Sequence, residues 1–165
     1  MFDKFTERAR RVIFFARFEA SKTGCHEITT EHLLLGLMRE NMYLLPEFPP
    51  DGDLAAIRSE LFGQPPAEPV PMSVDIPLTE SARRVLQHSA YERYSLKHDL
   101  VTSGHLLLGI LSEEESGACA VLRRYSVQRE HVMTRMPDIS QEQGPPNPDI
   151  AWDFLPLKRI DPGSA

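Results

Sequence analysis

The stretch "TTEHLLLGLM", Thr29–Met38, is written again seventy-three residues later as "TSGHLLLGIL", Thr102–Leu111. Extending that offset of 73 aligns Phe5–Met38 with Leu78–Leu111 without a gap, and 13 of the 34 pairs are identical. They include Thr6/Thr79, Glu7/Glu80, Ala9/Ala82, Val12/Val85, Glu19/Glu92, His32/His105 and Gly36/Gly109. Self-similarity at a fixed period marks a repeat architecture. In each copy the apolar positions recur at helical spacing: Ala9, Val12, Ile13, Ala16 and Ala20 in the first, Ala82, Val85 and Leu86 in the second. Thr6 and Thr79 are N-cap residues with an acid behind them. A turn at Gly24 and Lys97 leads to a second helix starting at Thr30 and Ser103, with Thr29 and Thr102 as the alternative caps. The leucines make that helix apolar on most sides, so it is expected to be buried.

Proline sets the boundaries. All 14 prolines fall outside Met1–Leu45 and Leu78–Met136, and a regular helix interior excludes proline. The second copy continues with a short helix over Ala118–Tyr125, a stop at Ser126 and a last helix to Met136. In the first copy Pro46, Pro49 and Pro50 forbid the corresponding helix, and only a final one over Asp53–Phe62 survives. No segment keeps a strand period for long. The expected fold is all-α: two tandem helical repeats with pseudo-twofold symmetry, copy one partly eroded. The expected organisation is a double repeat over residues 1–136 (repeat one 1–63, linker 64–76, repeat two 77–136), then a Pro-rich tail over 137–165. The tail's apolar island, "IAWDFLPLKRI" (Ile150–Ile160), is either a clasp on the domain or a docking motif.

The 165 residues carry a net charge of −6, which argues against a nucleic-acid partner and an anionic membrane surface. No apolar run reaches the roughly 20 residues of a membrane span. The N-terminus has no signal-peptide h-region, and Cys25 and Cys119 stand at non-equivalent places in the repeat, so the expectation is a cytoplasmic protein with free thiols. The only G-x-x-x-x-G, Gly104–Gly109, is followed by Ile110 and Leu111 instead of Lys and Ser/Thr, so it is no phosphate loop. In "HEITTEH" the histidines His26 and His32 are six apart, which is not zinc-ligand spacing on a helix. His32 and His105 are therefore read as hydrogen-bonded first-turn residues, with no metal and no cofactor. A hydrolase built on His32, Glu31 and Cys25 is a remote alternative that lacks a coherent triad.

"MFDKFTERARRVIFFARFEA" with "TTEHLLLGLMRE", then "LTESARRVL" and "SGHLLLGIL", resembles the N-terminal repeat domain of Clp chaperones, the ClpC type above all. The resemblance covers about Met1 to Met136. It implies a pseudo-twofold helical module that receives substrates and adaptors for an ATP-driven unfoldase, here as a stand-alone module without ATPase. By the same resemblance Glu31 receives the guanidinium of phosphorylated arginine, a fit of two carboxylate oxygens to two N–H donors. Thr6, Thr30 and Thr79 and exposed backbone N–H groups at helix starts would hold the phosphate. The plain alternative is that Glu31 complements a helix dipole, worth about 0.3–1 kcal/mol. Gly104 stands where the second copy's glutamate belongs, so that second site is expected to be degraded.

Phe2, Phe5 and Leu78 are expected to form an apolar groove between the copies, a region the family uses for hydrophobic peptides. Among Phe14, Phe15 and Phe18, at least one is expected to pack between the repeats, and Phe18 is assigned to the protein-binding surface. The resulting reading is a non-catalytic protein- or peptide-binding module of Clp-type quality control. Its partners would be substrates or adaptors of a Clp unfoldase, or the unfoldase itself. The alternative in the same class is a decoy that sequesters phosphoarginine-like or peptide ligands.

Overall fold

The computed structural model describes residues 2–40, 54–63 and 68–136. The proline cluster at Pro46–Pro50 and the 137–165 tail lie outside them. Seven helices are present among the described residues: α1 (Glu7–Lys22), α2 (Thr30–Glu40), α3 (Leu54–Phe62), α4 (Glu80–Ser95), α5 (Ser103–Ser112), α6 (Gly117–Arg124) and α7 (Arg129–Arg135). The architecture is all-helical, and the repeat read from the sequence is the repeat in space. α1 lies along α2, α4 lies along α5, and α2 and α5 meet at the centre.

The internal copies share their local devices. Thr6 Oγ1 accepts from Ala9 N–H and Thr79 Oγ1 from Ala82 N–H, each at 3.2 Å, so both threonines cap their helices as expected. Both first helices end in a left-handed residue, Gly24 (φ 72°) and Lys97 (φ 59°). The next amide then turns back onto the last helical turn, Cys25 N–H to Ala20 C=O at 2.9 Å and His98 N–H to Arg93 C=O at 3.0 Å. Gly24 adopts this conformation at no steric cost. Ser126 (φ 61°) stops α6 where the sequence places a stop.

α2 and α5 start at Thr30 and Ser103 as expected, but their caps are the alternatives, Thr29 and Thr102. The reason is the repeated histidine. The backbone N–H of Thr102 donates to His105 Nδ1 at 2.8 Å, and that of Thr29 donates to His32 Nδ1 at 3.0 Å. Each histidine thus does the work of the third-position Glu or Gln of a capping box.

The repeated glycines mark where the helices touch most closely. A Cβ on Gly36 would stand 2.4 Å from Val12 C=O and 2.9 Å from Ala16 N, and one on Gly109 would stand 2.5 Å from Val85 C=O. These are backbone atoms on fixed helices, so the strain cannot be relieved by a rotamer change. Gly36→Ala is expected to lower the unfolding free energy by about 3 kcal/mol, the upper end of overpacking costs. Urea denaturation followed by far-UV circular dichroism checks it; a change under 1 kcal/mol would show that α1 and α2 can separate freely.

The two copies are joined crosswise. The residues ahead of α1 pair with those ahead of α5, and the residues ahead of α4 pair with those ahead of α2, as short parallel bridges at Phe5/Val101 and Ile28/Leu78. Thr6 N–H donates to Val101 C=O at 3.0 Å and Thr79 N–H to Ile28 C=O at 2.9 Å. Each inter-copy seam therefore brings the start of one copy's first helix beside the start of the other copy's second helix.

Candidate functional site

This crossing decides which site residues meet. Thr29, Thr30 and Glu31 at the start of α2 face Thr79, Ser81 and Arg84 at the start of α4, across a cleft of about 460 Å³ closed by the Glu113–Gly117 loop. Thr79, not Thr6, is the helix-start threonine beside Glu31. Thr6 is fully buried at the other seam, next to Val101, with its hydroxyl engaged by Ala9 N–H.

Glu31 is half-buried and already held. One carboxylate oxygen accepts from Gly117 N–H at the start of α6 (2.8 Å), the other from the Thr30 hydroxyl (3.0 Å). Burial pushes its pKa up, but its own backbone N–H, the Thr29 and Thr30 hydroxyls and Gly117 N–H prevail and hold it below the usual carboxylate value of 4.5. Glu31 therefore stays an anion at neutral pH, tying copy one to α6. The cleft also holds Glu113, Glu114 and Glu115, and the exposed Arg84 pairs with Glu113 through two hydrogen bonds of 2.9 and 3.1 Å. A mostly acidic cleft with one paired arginine suits a cationic group approaching Glu31. The loop residues Glu113–Gly117 escaped the sequence reading, because only the three-dimensional crossing carries copy two's loop to copy one's glutamate.

At the second seam Gly104 occupies the place of a glutamate, and the space belongs to Met136. A Cβ on Gly104 would lie 2.8 Å from Met136 Cγ and 3.0 Å from its Cε. The residue after α7 thus stands over the position where a carboxylate would rise.

Phe2, Phe5 and Leu78 do line one pocket, about 270 Å³, together with Arg83, Leu86, Gln87 and Ala90 of α4. The Phe2 and Phe5 rings meet edge-on at 5.0 Å. Phe18 is not part of it. It belongs to a separate cluster with Phe14 and the fully buried Phe15, where the Arg39 guanidinium lies 4.9 Å from the Phe18 ring. Among the described residues, that cluster joins α1 to Arg39 of α2, both in copy one.

The histidines are not arranged as a catalytic or metal set. His32 and His105 are fully buried. His32 Nε2 meets the Thr23 hydroxyl at 2.9 Å, and His105 Nε2 meets His98 Nδ1 at the same distance. Cys25 Sγ contacts Thr23, not His32. His32, Glu31 and Cys25 therefore form no chain of nucleophile, base and acid. Among the described residues no group of three or more His, Cys, Asp or Glu side chains is placed to hold a metal. No helix among them is long and apolar enough to cross a membrane.

Known proteins match this arrangement. The family described as the Clp repeat (R) N-terminal domain matches residues 4–125. The ClpA homolog of the ATP-dependent Clp protease from Brassica napus chloroplasts is 33% identical over 141 residues, covering 82% of this chain and 16% of its own length. The chloroplastic chaperone protein ClpC1 of Arabidopsis thaliana is 33% identical over 141 residues, covering 82% of this chain and 15% of its own length. The chain thus spans about one-sixth of the length of these relatives. Among solved structures, the N-terminal domain of the Arabidopsis thaliana chaperone ClpD superposes with a TM-score of 0.67 at 27% identity, over 83% of this chain and all of that one. The Hsp104 N-terminal domain of Candida albicans shares the fold, with a TM-score of 0.64 at 19% identity over 86% of this chain and 94% of its own. The crosswise double repeat, its paired threonine caps and these likenesses together place the chain in the Clp repeat N-terminal domain family.

Proposed function

We propose that this chain is a non-catalytic protein-binding module of Clp-type quality control that receives degradation-marked substrates or adaptors, and that the Glu31 cleft is its receptor site. The observation that supports this is the ionised, half-buried Glu31 facing the α4 start across the seam. In this reading Glu31 takes the guanidinium of a phosphorylated arginine. The α4 start, with Thr79 and Ser81, offers hydroxyls and N–H donors to the phosphate. Thr30 orients the carboxylate, and Thr6 contributes only by capping α1. The Met136-covered seam binds no such ligand, so the module has one site. Its partners are polypeptides, its compartment is the cytoplasm, and the reaction, where there is one, belongs to the unfoldase that it serves.

Titration of the full chain with free phosphoarginine, read by heteronuclear NMR, tests this. Shifts are expected at Thr30, Glu31, Thr79 and Ser81, with none at Thr6. Glu31→Ala is expected to weaken binding at least tenfold, the loss of one charge-assisted pair. No shift at millimolar ligand, or an undiminished response in the variant, overturns the assignment.

A further inference from the structure

Copy two contains a cleft that copy one has filled. About 550 Å³ lies between α4, α5 and the α6–α7 turn, with Leu108, Leu111 and Val127 as its floor and His88, Arg123 and Arg129 on its walls. In the repeat alignment His88 corresponds to Phe15, and one position past its end the same offset of 73 pairs Ser112 with Arg39. Copy one fills the equivalent place itself: Phe15 is fully buried, and the Arg39 guanidinium lies 5.8 Å from its ring. Two large side chains have become smaller in copy two, and the space that an aromatic ring occupies in copy one is open.

Two arginines, Arg123 and Arg129, and one carboxylate, Glu114, line the open space. Arg129 is fixed by two hydrogen bonds to the buried carboxylate of Glu92, one of them 2.9 Å long. Among the described residues Arg123 pairs with Glu114, at 3.4 Å, with both side chains more than half exposed. Such a surface pair has little net strength, so Arg123 is available to exchange its partner.

We propose that this cleft binds the C-terminal residue of a partner polypeptide, with an apolar, preferably aromatic, side chain on the leucine floor and the α-carboxylate on Arg123. Chain termini are favoured over internal acids by geometry. The floor and the guanidiniums line one cleft, and only a terminal residue carries an apolar side chain and a carboxylate on the same Cα. An internal Asp or Glu places its carboxylate where the apolar group must go. Capture of a terminal carboxylate is a recurring mode of peptide recognition. The ligand displaces Glu114 from Arg123, so Glu114 opposes binding. The proposal does not depend on the Glu31 cleft, which meets this one only along the Ser112–Glu114 rim.

The test is fluorescence anisotropy of the full chain with a fluorescein-labelled Gly-Ser-Gly-Ala-Phe peptide, as free acid and as C-terminal amide. The free acid is expected to bind at least tenfold more tightly than the amide. His88→Phe restores the filling of copy one, and Arg123→Glu reverses the charge at an exposed position. Each is expected to weaken the free acid at least tenfold with an unchanged circular dichroism spectrum. Glu31→Ala is expected to leave it unchanged, and Glu114→Gln to tighten it. Equal binding of acid and amide, no binding of either, or full binding by His88→Phe overturns the proposal. An amidated Gly-Ser-Asp-Phe-Gly peptide that binds as well as the free acid overturns the choice of a chain terminus.

Discussion

Replacing Glu19 by alanine is expected to remove about 3–5 kcal/mol of unfolding free energy, the loss typical of breaking a buried ion pair by deleting one partner. Glu19 is fully buried inside α1. Its carboxylate accepts from Arg58 Nε and Nη2, both at 2.7 Å, and from Arg39 Nε at 3.1 Å. The side chains of Arg39 and Arg58 are only 11% and 16% exposed. Burial alone pushes the Glu19 pKa up, but Arg58 and Arg39 outweigh it and bring the group below 4.5. Without the carboxylate, two poorly solvated guanidiniums face each other beside Phe15, and α3 loses its polar attachment to α1. Copy two supplies the control. Glu92 stands at the same repeat position and pairs with Arg129, but the arginine side chain is 45% exposed and returns readily to water. Glu92→Ala is therefore expected to cost less, about 1.5–3 kcal/mol, in the range of a lost hydrogen bond to a charged group. Urea midpoints of the two variants decide the matter. Equal losses would mean that the second guanidinium and the deeper burial in copy one contribute nothing.

What the sequence revealed and what it hid separate along a physical line. The helices, their caps and the Gly24 and Lys97 turns were legible because they depend on neighbours within about five residues, and the repeat states each of them twice. The role of the histidines was half legible. A first-turn hydrogen bond follows from their position, but the capping box is normally recognised by Glu or Gln, so Thr29 and Thr102 were second choices as caps. The crossing of the copies was not legible. Whether Glu31 meets Thr6 or Thr79 depends on which seam each helix start occupies, and that is fixed by the Phe5/Val101 and Ile28/Leu78 pairing between segments far apart in the chain. Phe18 was misplaced for the same reason: its spacing puts it on α1, but only packing shows that Arg39 draws it into copy one's own aromatic cluster. The copy-two cleft was written in the alignment as Phe15/His88 and Arg39/Ser112. Paired reductions in size announce a void only when both positions are known to face the same space.

Mild acid is expected to destabilise this fold well above the carboxylate range, with the stability loss beginning near pH 6.5. The cause is the repeated histidine. In His32 and His105, Nδ1 accepts a backbone N–H from Thr29 or Thr102, so that nitrogen must carry a lone pair and the proton sits on Nε2. Protonating the ring sets two N–H groups against each other at the helix cap, inside a site with no exposure to water. Burial is the largest cause, and it pushes both pKa values down from 6.5 to about 4; for His105 the neighbouring His98 pushes in the same direction. The folded-state pKa is depressed, so between 6.5 and 4 the unfolded chain binds more protons. The stabilisation is complete above 6.5 and is lost as pH falls toward 4. At about 1.4 kcal/mol per pH unit, each histidine contributes roughly 3 kcal/mol at neutral pH, a large part of the 5–15 kcal/mol that holds a typical domain together. Glu19, Glu31 and Glu92, all lowered from 4.5, add their losses only below that value. Urea midpoints at pH 7, 5.5 and 4.5 separate the two sets, and His105→Gln identifies the residue. Glutamine keeps the side-chain acceptor of a capping box and cannot be protonated in this range. The variant is therefore expected to hold its helix at pH 7 and to lose about half of the pH dependence between 6.5 and 4.5. An unchanged slope would place the acid sensitivity elsewhere.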